Sequence, residues 1–183
     1  MKLRRNRLEN KAFILETERL YARELVQNDF QDLADILQDE RVMYAYEHTF
    51  NDQDTQNWLV RQQSRYQENG FGLWAILLKG TDTVIGQAGL TMQQVGNREV
   101  LEIGYLFKHD FWNKGYATEM ADACRKYAFN ILKAPEVYSI IKDDNIASQK
   151  VAMRIGMHIE EEFIKQYYNG DMVHYLYKVE NKL

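Results

Sequence analysis

The 183 residues carry a formal net charge of −4, with 27% charged and 45% hydrophobic side chains, a balance that excludes a disordered chain and argues against a general nucleic-acid binder. A single cysteine, Cys124, excludes an internal disulfide, and no apolar run is long enough to span a membrane. A weakly acidic surface suits cationic substrates such as amines. The opening MKLRRNRLENK is basic and lacks the apolar stretch of a secretion signal. Residues 1–12 therefore read as a mobile basic arm, residues 13–183 as one domain, and the protein as cytoplasmic.

The first strand is expected within FILETERLYARELV, where Leu15, Thr17, Arg19 and Tyr21 alternate with Glu16, Glu18 and Leu20. NDFQDLADILQ follows as a short helix, with Phe30, Leu33, Ile36 and Leu37 at helical spacing and Asn28 with Gln31 as its capping box. NDQDTQNWLVRQQSRYQENG reads as a second helix, capped by Asn51 or Asp52 and stopped by Gly70. GLWAILLK, TVIGQAGLTMQQV and EVLEIGYLF then form a meander across GTD and GNR turns.

A long helix follows from about Tyr116 to Leu132, with Tyr116, Met120, Cys124, Tyr127 and Ile131 on one face. After the lone proline, Pro135, EVYSIIK is a buried strand and NIASQKVAMRIG a helix ended by Gly156. The chain closes on a hairpin, HIEEEFIKQYY and DMVHYLYKV joined at Asn169-Gly170. This order describes a mixed α+β domain around a mostly antiparallel sheet.

HDFWNKGYATEM sets a chemical question. Gly115 and Ala117 stand two apart where the long helix begins, and a helix start offers unpartnered N–H groups and a positive dipole end. Small residues there let a phosphate approach the backbone. A nucleotide P-loop and a dinucleotide fingerprint both need glycine patterns that are missing, which leaves an ordinary strand-to-helix turn or another phosphate site.

EIGYLFKHDFWNKGYATEM resembles the acetyl-CoA-binding motif of the GNAT superfamily of N-acetyltransferases, and DDNIASQKVAMRIGM resembles its second motif at the expected downstream distance. ILETERLYAREL and NGDMVHYLYKV resemble the RimJ/RimL-type branch of ribosomal-protein N-terminal and spermidine acetyltransferases. The likeness spans about residues 13 to 179. It implies a mostly antiparallel sheet of about seven strands, splayed between strands 4 and 5 and flanked by about four helices.

The resemblance places the CoA pyrophosphate on amides around Trp112, Asn113 and Lys114 and on those of Gly115, Tyr116, Ala117 and Thr118. Trp112 stands where the family often has Gln or Arg, and Asn113 where a further glycine is common. Lys114 and Lys150 are candidates for charge near the phosphates. Pantetheine is expected in the splayed gap, against the backbone of Leu106 and Phe107, with the Leu106 N–H on the thioester oxygen. Asn145 is an N-cap that also contacts the pantetheine arm in the family, and Ser148 lies one turn on.

Amide formation from an ammonium and a thioester needs a base, a hold on the oxyanion and a proton for the thiolate. Glu102, on the strand face of Leu106 by alternation, matches a glutamate that accepts the amine proton in some members. The family's general-acid tyrosine position holds Ala152, so Ser148 or water takes that role, or the thiolate leaves unassisted.

His48, His109, His158 and His174 lack metal-ligand spacing, so no metal is expected. Cys124 reads as core, and Glu160 to Glu162 as an acidic run able to attract a cationic amine near an acceptor groove. Tyr44, Tyr46 and Trp58 fall where the family shapes its acceptor pocket. The expected activity is direct acetyl transfer from acetyl-CoA to a protein or peptide N-terminal amine. A polyamine or amine antibiotic is the alternative acceptor, and an acyl-CoA sensor without turnover the rival class. No nucleic-acid or membrane partner is expected, and the protein is expected as a monomer or homodimer.

Overall fold

The computed structural model describes residues 13–167 and 170–182. The basic arm and the Asn169 side of the hairpin turn lie outside the described residues. In chain order the strands are β1 (Leu15–Glu16), β2 (Leu20–Arg23), β3 (Leu73–Leu78), β4 (Thr83–Val95), β5 (Arg98–Phe107), β6 (Glu136–Lys142), β7 (His158–Tyr167) and β8 (Gly170–Glu180). The helices are α1 (Phe30–Leu37), α2 (Glu40–Met43), α3 (Asp52–Asn69), α4 (Tyr116–Asn130) and α5 (Ile146–Arg154). One sheet holds all these strands in the order β1-β2-β3-β4-β5-β6-β8-β7. Every pairing is antiparallel except β5 with β6. This is the GNAT fold.

Several details differ from the sequence reading. FILETERLYARELV makes two strands, because the chain turns at Thr17–Arg19. The Thr17 N–H donates to the Leu20 carbonyl, and the Leu20 N–H to the Thr17 hydroxyl, both at 3.0 Å. Apolar-polar alternation continues through a tight turn, so periodicity alone misses it. The extra strand moves the splay to β5 and β6. A fifth helix, the single turn of α2, arises where Asp39 accepts from the Arg41 N–H.

The cap before α1 is also not the Asn28–Gln31 pair. Asp29 accepts from the Val26 N–H at 2.8 Å and is gripped by both terminal nitrogens of Arg23 at 2.6 and 2.7 Å. α3 begins as expected, with Asn51 and Asp54 in a reciprocal box, and ends on Gly70 in the left-handed region at φ 76°.

The sheet is covered on both faces. Trp58 of α3 reaches Gln87, which lies opposite Ala75, whereas Trp74 packs edge-on against Tyr127 of α4. Adjacent strand residues point to opposite faces, so α3 and α4 lie on opposite sides. Met120 and Cys124 are fully buried under α4, whereas Ile131, placed on that face by spacing, follows the last helical turn and is 64% exposed.

Candidate active site

β5 and β6 share one registered pair, Glu102 with Tyr138, and then separate. The Ser139 hydroxyl donates to the Ile103 carbonyl at 2.9 Å, and no strand pairing continues from there toward Phe107. A cavity of about 80 Å³ lies in this fork, lined by Tyr105, Ile141, Asn145 and Ser148 among others. A second chamber of about 580 Å³ lies beside it, under Trp58, Arg61, Arg65, Thr91 and Lys165. Tyr46, Glu102, Gly104, Tyr105, Leu106 and Ile140 line both, so the chambers meet at the fork.

The β4–β5 ladder decides which amides face the gap. The Lys108 N–H donates to the Ile85 carbonyl at 2.9 Å, and Leu106 lies opposite Gln87. Hydrogen-bonding direction alternates along an antiparallel strand, so the Leu106 amide faces β4 and those of Tyr105 and Phe107 face away from it. The Trp112 indole N–H donates to the Phe107 carbonyl at 2.8 Å from that outer side, which fixes the same phase. The Leu106 N–H, expected on a thioester, therefore points into the β4 ladder and not into the gap. Its motif matches the strand, but register rather than motif sets the direction of each amide.

Glu102 stands at the junction. One carboxylate oxygen accepts from the Thr91 hydroxyl at 3.0 Å and the other from the Ile140 N–H at 3.4 Å. Burial pushes its pKa above the usual carboxylate range. The Lys165 charge, the Thr91 hydroxyl, the Ile140 N–H and the Arg65 charge pull part of the way back.

The loop before α4 holds two left-handed residues, Asn113 at φ 59° and Gly115 at φ 82°. Asparagine tolerates this conformation, so Asn113 bends the loop without the glycine common at that place. Gly115 is the N-cap, and the first helical bond runs from the Glu119 N–H to its carbonyl at 3.0 Å. The amides of Tyr116, Ala117 and Thr118 precede that bond and have no partner within the helix. A left-handed turn running into a helix start is a ready anion cradle, so this loop fits a pyrophosphate.

The other proposed phosphate contacts divide. The Lys114 ammonium turns back onto the Asp110 carbonyl at 2.9 Å and over the Phe111 ring. Lys150 is exposed on α5. Asn145 caps α5 by accepting from the Ser148 N–H at 3.1 Å, and also accepts from the Tyr44 hydroxyl at 2.7 Å. Tyr44 packs edge-on with Trp112 as well, linking the loop before α4 to α5. Ser148 lines the smaller chamber, and its carbonyl accepts from the Tyr105 hydroxyl at 2.9 Å.

Sequence reasoning missed the clamp that holds the loop. Glu119 accepts from the Thr17 hydroxyl at 2.6 Å, from the Arg19 N–H at 2.9 Å and from the Arg19 Nε at 2.7 Å. Arg19 also donates to the Lys114 carbonyl at 2.9 Å and lies over the Tyr116 ring. Burial raises the Glu119 pKa, but these hydrogen bonds outweigh it and hold the group below its usual range. The unrecognised turn at Thr17–Arg19 is what presents these groups to α4.

Other sequence candidates fall elsewhere. Glu160 pairs with Arg98 at 2.8 Å and Lys178 at 3.3 Å, and Glu161 with Arg98 at 3.3 Å, and the run lines neither chamber. Tyr46 and Trp58 do line the larger one. The Cys124 thiol is buried, which pushes its pKa up to about 12. Among the described residues no His, Cys, Asp and Glu cluster could hold a metal, and no helix is long and apolar enough to cross a membrane.

The family model for an acetyltransferase (GNAT) domain matches residues 19–158. The chain belongs to the GNAT acetyltransferase family. It is 35% identical over 152 residues to YkkB, an uncharacterised protein of Bacillus subtilis, across 82% of this chain and 88% of that one. A crystal structure of a GNAT-family acetyltransferase from Bacillus anthracis superposes with a TM-score of 0.78 at 26% identity, covering 92% of this chain and 98% of the other. RimL, a ribosomal L7/L12 alpha-N-protein acetyltransferase solved with coenzyme A, shares the fold at a TM-score of 0.74 and 13% identity, over 92% and 98% of the two chains. This acetyltransferase thus carries the family's fork and helix start in the places its motifs indicated.

Proposed function

We propose that this acetyltransferase holds acetyl-CoA in the fork and a primary amine in the larger chamber at the same time. In this reading the acetyl group passes directly between them. The meeting of the two chambers at Glu102, Tyr105 and Leu106 carries the reading. The amides of Tyr116, Ala117 and Thr118 hold the pyrophosphate, with Asn113 and Gly115 shaping the cradle. The Tyr105 N–H and the Phe107 backbone, which face the gap, hold the pantetheine and the thioester oxygen. Trp112 and Asn145 fix the two ends of the channel.

Acetyl-CoA supplies an activated carbonyl, whose C–S bond breaks as the C–N bond forms. Glu102 takes the first proton from the ammonium and passes it to solvent. The second amine proton goes to the departing thiolate, through water or the Ser148 hydroxyl. Ala152, fully buried, offers no hydroxyl for that step. The net reaction turns ammonium and thioester into amide, thiol and one proton.

The branch resemblance makes a peptide or protein N-terminal amine the first acceptor to test and a polyamine the second. The chamber favours the first, because Arg61, Arg65 and Lys165 would repel a polycation. Calorimetry with acetyl-CoA, followed by thiol release on a panel of amines, tests the reading. Saturable heat and amine-dependent thiol release are expected. No heat with acetyl-CoA would overturn it.

A further inference from the structure

The larger chamber carries a charge pattern opposite to that of the whole chain. The sequence has a net charge of −4, yet among the described residues the charged groups lining this chamber are Arg61, Arg65 and Lys165 against the one carboxylate of Glu102. Trp58, Arg61 and Arg65 lie three and four residues apart along α3, so they share one face, and Lys165 enters from β7. Arg65 is half-buried and donates to the Gln62 side chain at 3.2 Å, with no carboxylate partner among the described residues. Burial pulls its pKa down, and the like charge of Arg61 adds to that. Two guanidinium groups at helical spacing, one half-buried and feeling the Glu102 and Glu68 charges only at a distance, make a site that an anion in direct contact would complete.

Resting on the acetyltransferase reading, we propose that the acceptor is a primary amine that itself carries an acidic group, a carboxylate or a phosphoryl group. The acid is held by Arg61, Arg65 and Lys165 while the amine is presented at Glu102. Phe50, Trp58 and Tyr46 supply apolar wall between these poles. A chamber of about 580 Å³ admits a small molecule or the first residues of a peptide. Free amino acids, aminoalkyl phosphonates and peptides with an acidic second residue share this chemistry. A polyamine would bring cations to cations.

The test uses matched pairs on the full-length chain, with thiol release as readout: amino acids against their carboxamides, 2-aminoethylphosphonate against its diethyl ester, and Ala-Asp against Ala-Asn peptides. Spermidine forms the cationic arm. At least one acid is expected to exceed its neutral partner about tenfold in kcat/KM, through KM. Which pair responds identifies the source of the acid. Arg61→Gln, at an exposed position, and Lys165→Gln are each expected to shrink that ratio severalfold while the acetyl-CoA Kd stays constant. Ratios near one in every pair, faster turnover of spermidine, or no acetylated acidic amine would overturn the proposal. So would a ratio that both variants leave unchanged, since cations that merely lower the amine's pKa act on acid and amide alike. Missing heat with acetyl-CoA would strike the cofactor reading instead, and this proposal with it.

Discussion

The two chambers beside Glu102 are built by different means. The smaller one is made of backbone: a fork where β6 leaves β5, gap-facing amides and a helix start. The larger one is made of side chains from α3, β4, β5 and β7. Backbone walls follow from topology and tolerate much variation in sequence, as a common fold at 13% identity illustrates. Side-chain walls can change residue by residue, so recognition of the acceptor is expected there.

Glu102 belongs to both, and its replacement should have the largest effect. Glu102→Gln keeps an oxygen for the Thr91 hydroxyl or the Ile140 N–H but removes the base, so kcat should fall about a hundredfold with unchanged acetyl-CoA affinity. The rate of the unaltered protein should rise with pH through a value above the ordinary carboxylate range, and this limb should vanish in the variant. Stability should show the opposite sign. A pKa raised by burial means that ionising Glu102 destabilises the folded chain, so stability falls as pH rises from the unfolded value through the folded one. In Glu102→Gln that decline should be absent from melts across the same range. Unchanged turnover and pH profile would remove Glu102 from the chemistry.

Gly115→Val tests the backbone chamber alone. A β-branched residue at φ 82° is strained, and its Cβ would sit 3.3 Å from the Arg19 guanidinium. Acetyl-CoA affinity should weaken about tenfold by calorimetry. A neutral acceptor's KM should move far less. Glu119→Gln should raise the acetyl-CoA KM a few-fold by loosening the Arg19 clamp, about what one charge-assisted hydrogen bond supplies. Tyr44→Phe should have the smallest effect, about twofold on acetyl-CoA binding, because Asn145 keeps its Ser148 cap.

The same division governs what could be read without coordinates. Helix α4, its glycine start and the Asn145 cap are local, with donor and acceptor a few residues apart, so spacing carries them. The phase of β5 is not local. It depends on the partner strand, which is why the motif points to Leu106 for an amide direction that belongs to Tyr105 and Phe107. The Arg19–Glu119 clamp joins residues 100 apart and hides behind a turn that alternation cannot show. Arg61, Arg65 and Lys165 come from a polar helix and a distant strand, where each reads as a solvated surface charge. Net acidity gives no hint of them, since overall charge says little about one concave wall.

The Glu102 carboxylate grips Thr91 on β4 with one oxygen and Ile140 on β6 with the other. It is thus a rivet through the crotch of the sheet as well as the proposed proton acceptor. A proton landing on either oxygen converts that atom from acceptor to donor and weakens one side of the rivet. Mechanical stiffness and acid–base state are thereby written in the same two atoms. The desolvation penalty on the charged form outweighs that loss, so opening to water is easiest when Glu102 is ionised, and the Ile140 amide hydrogen should exchange faster as pH rises, after correction for the intrinsic rate.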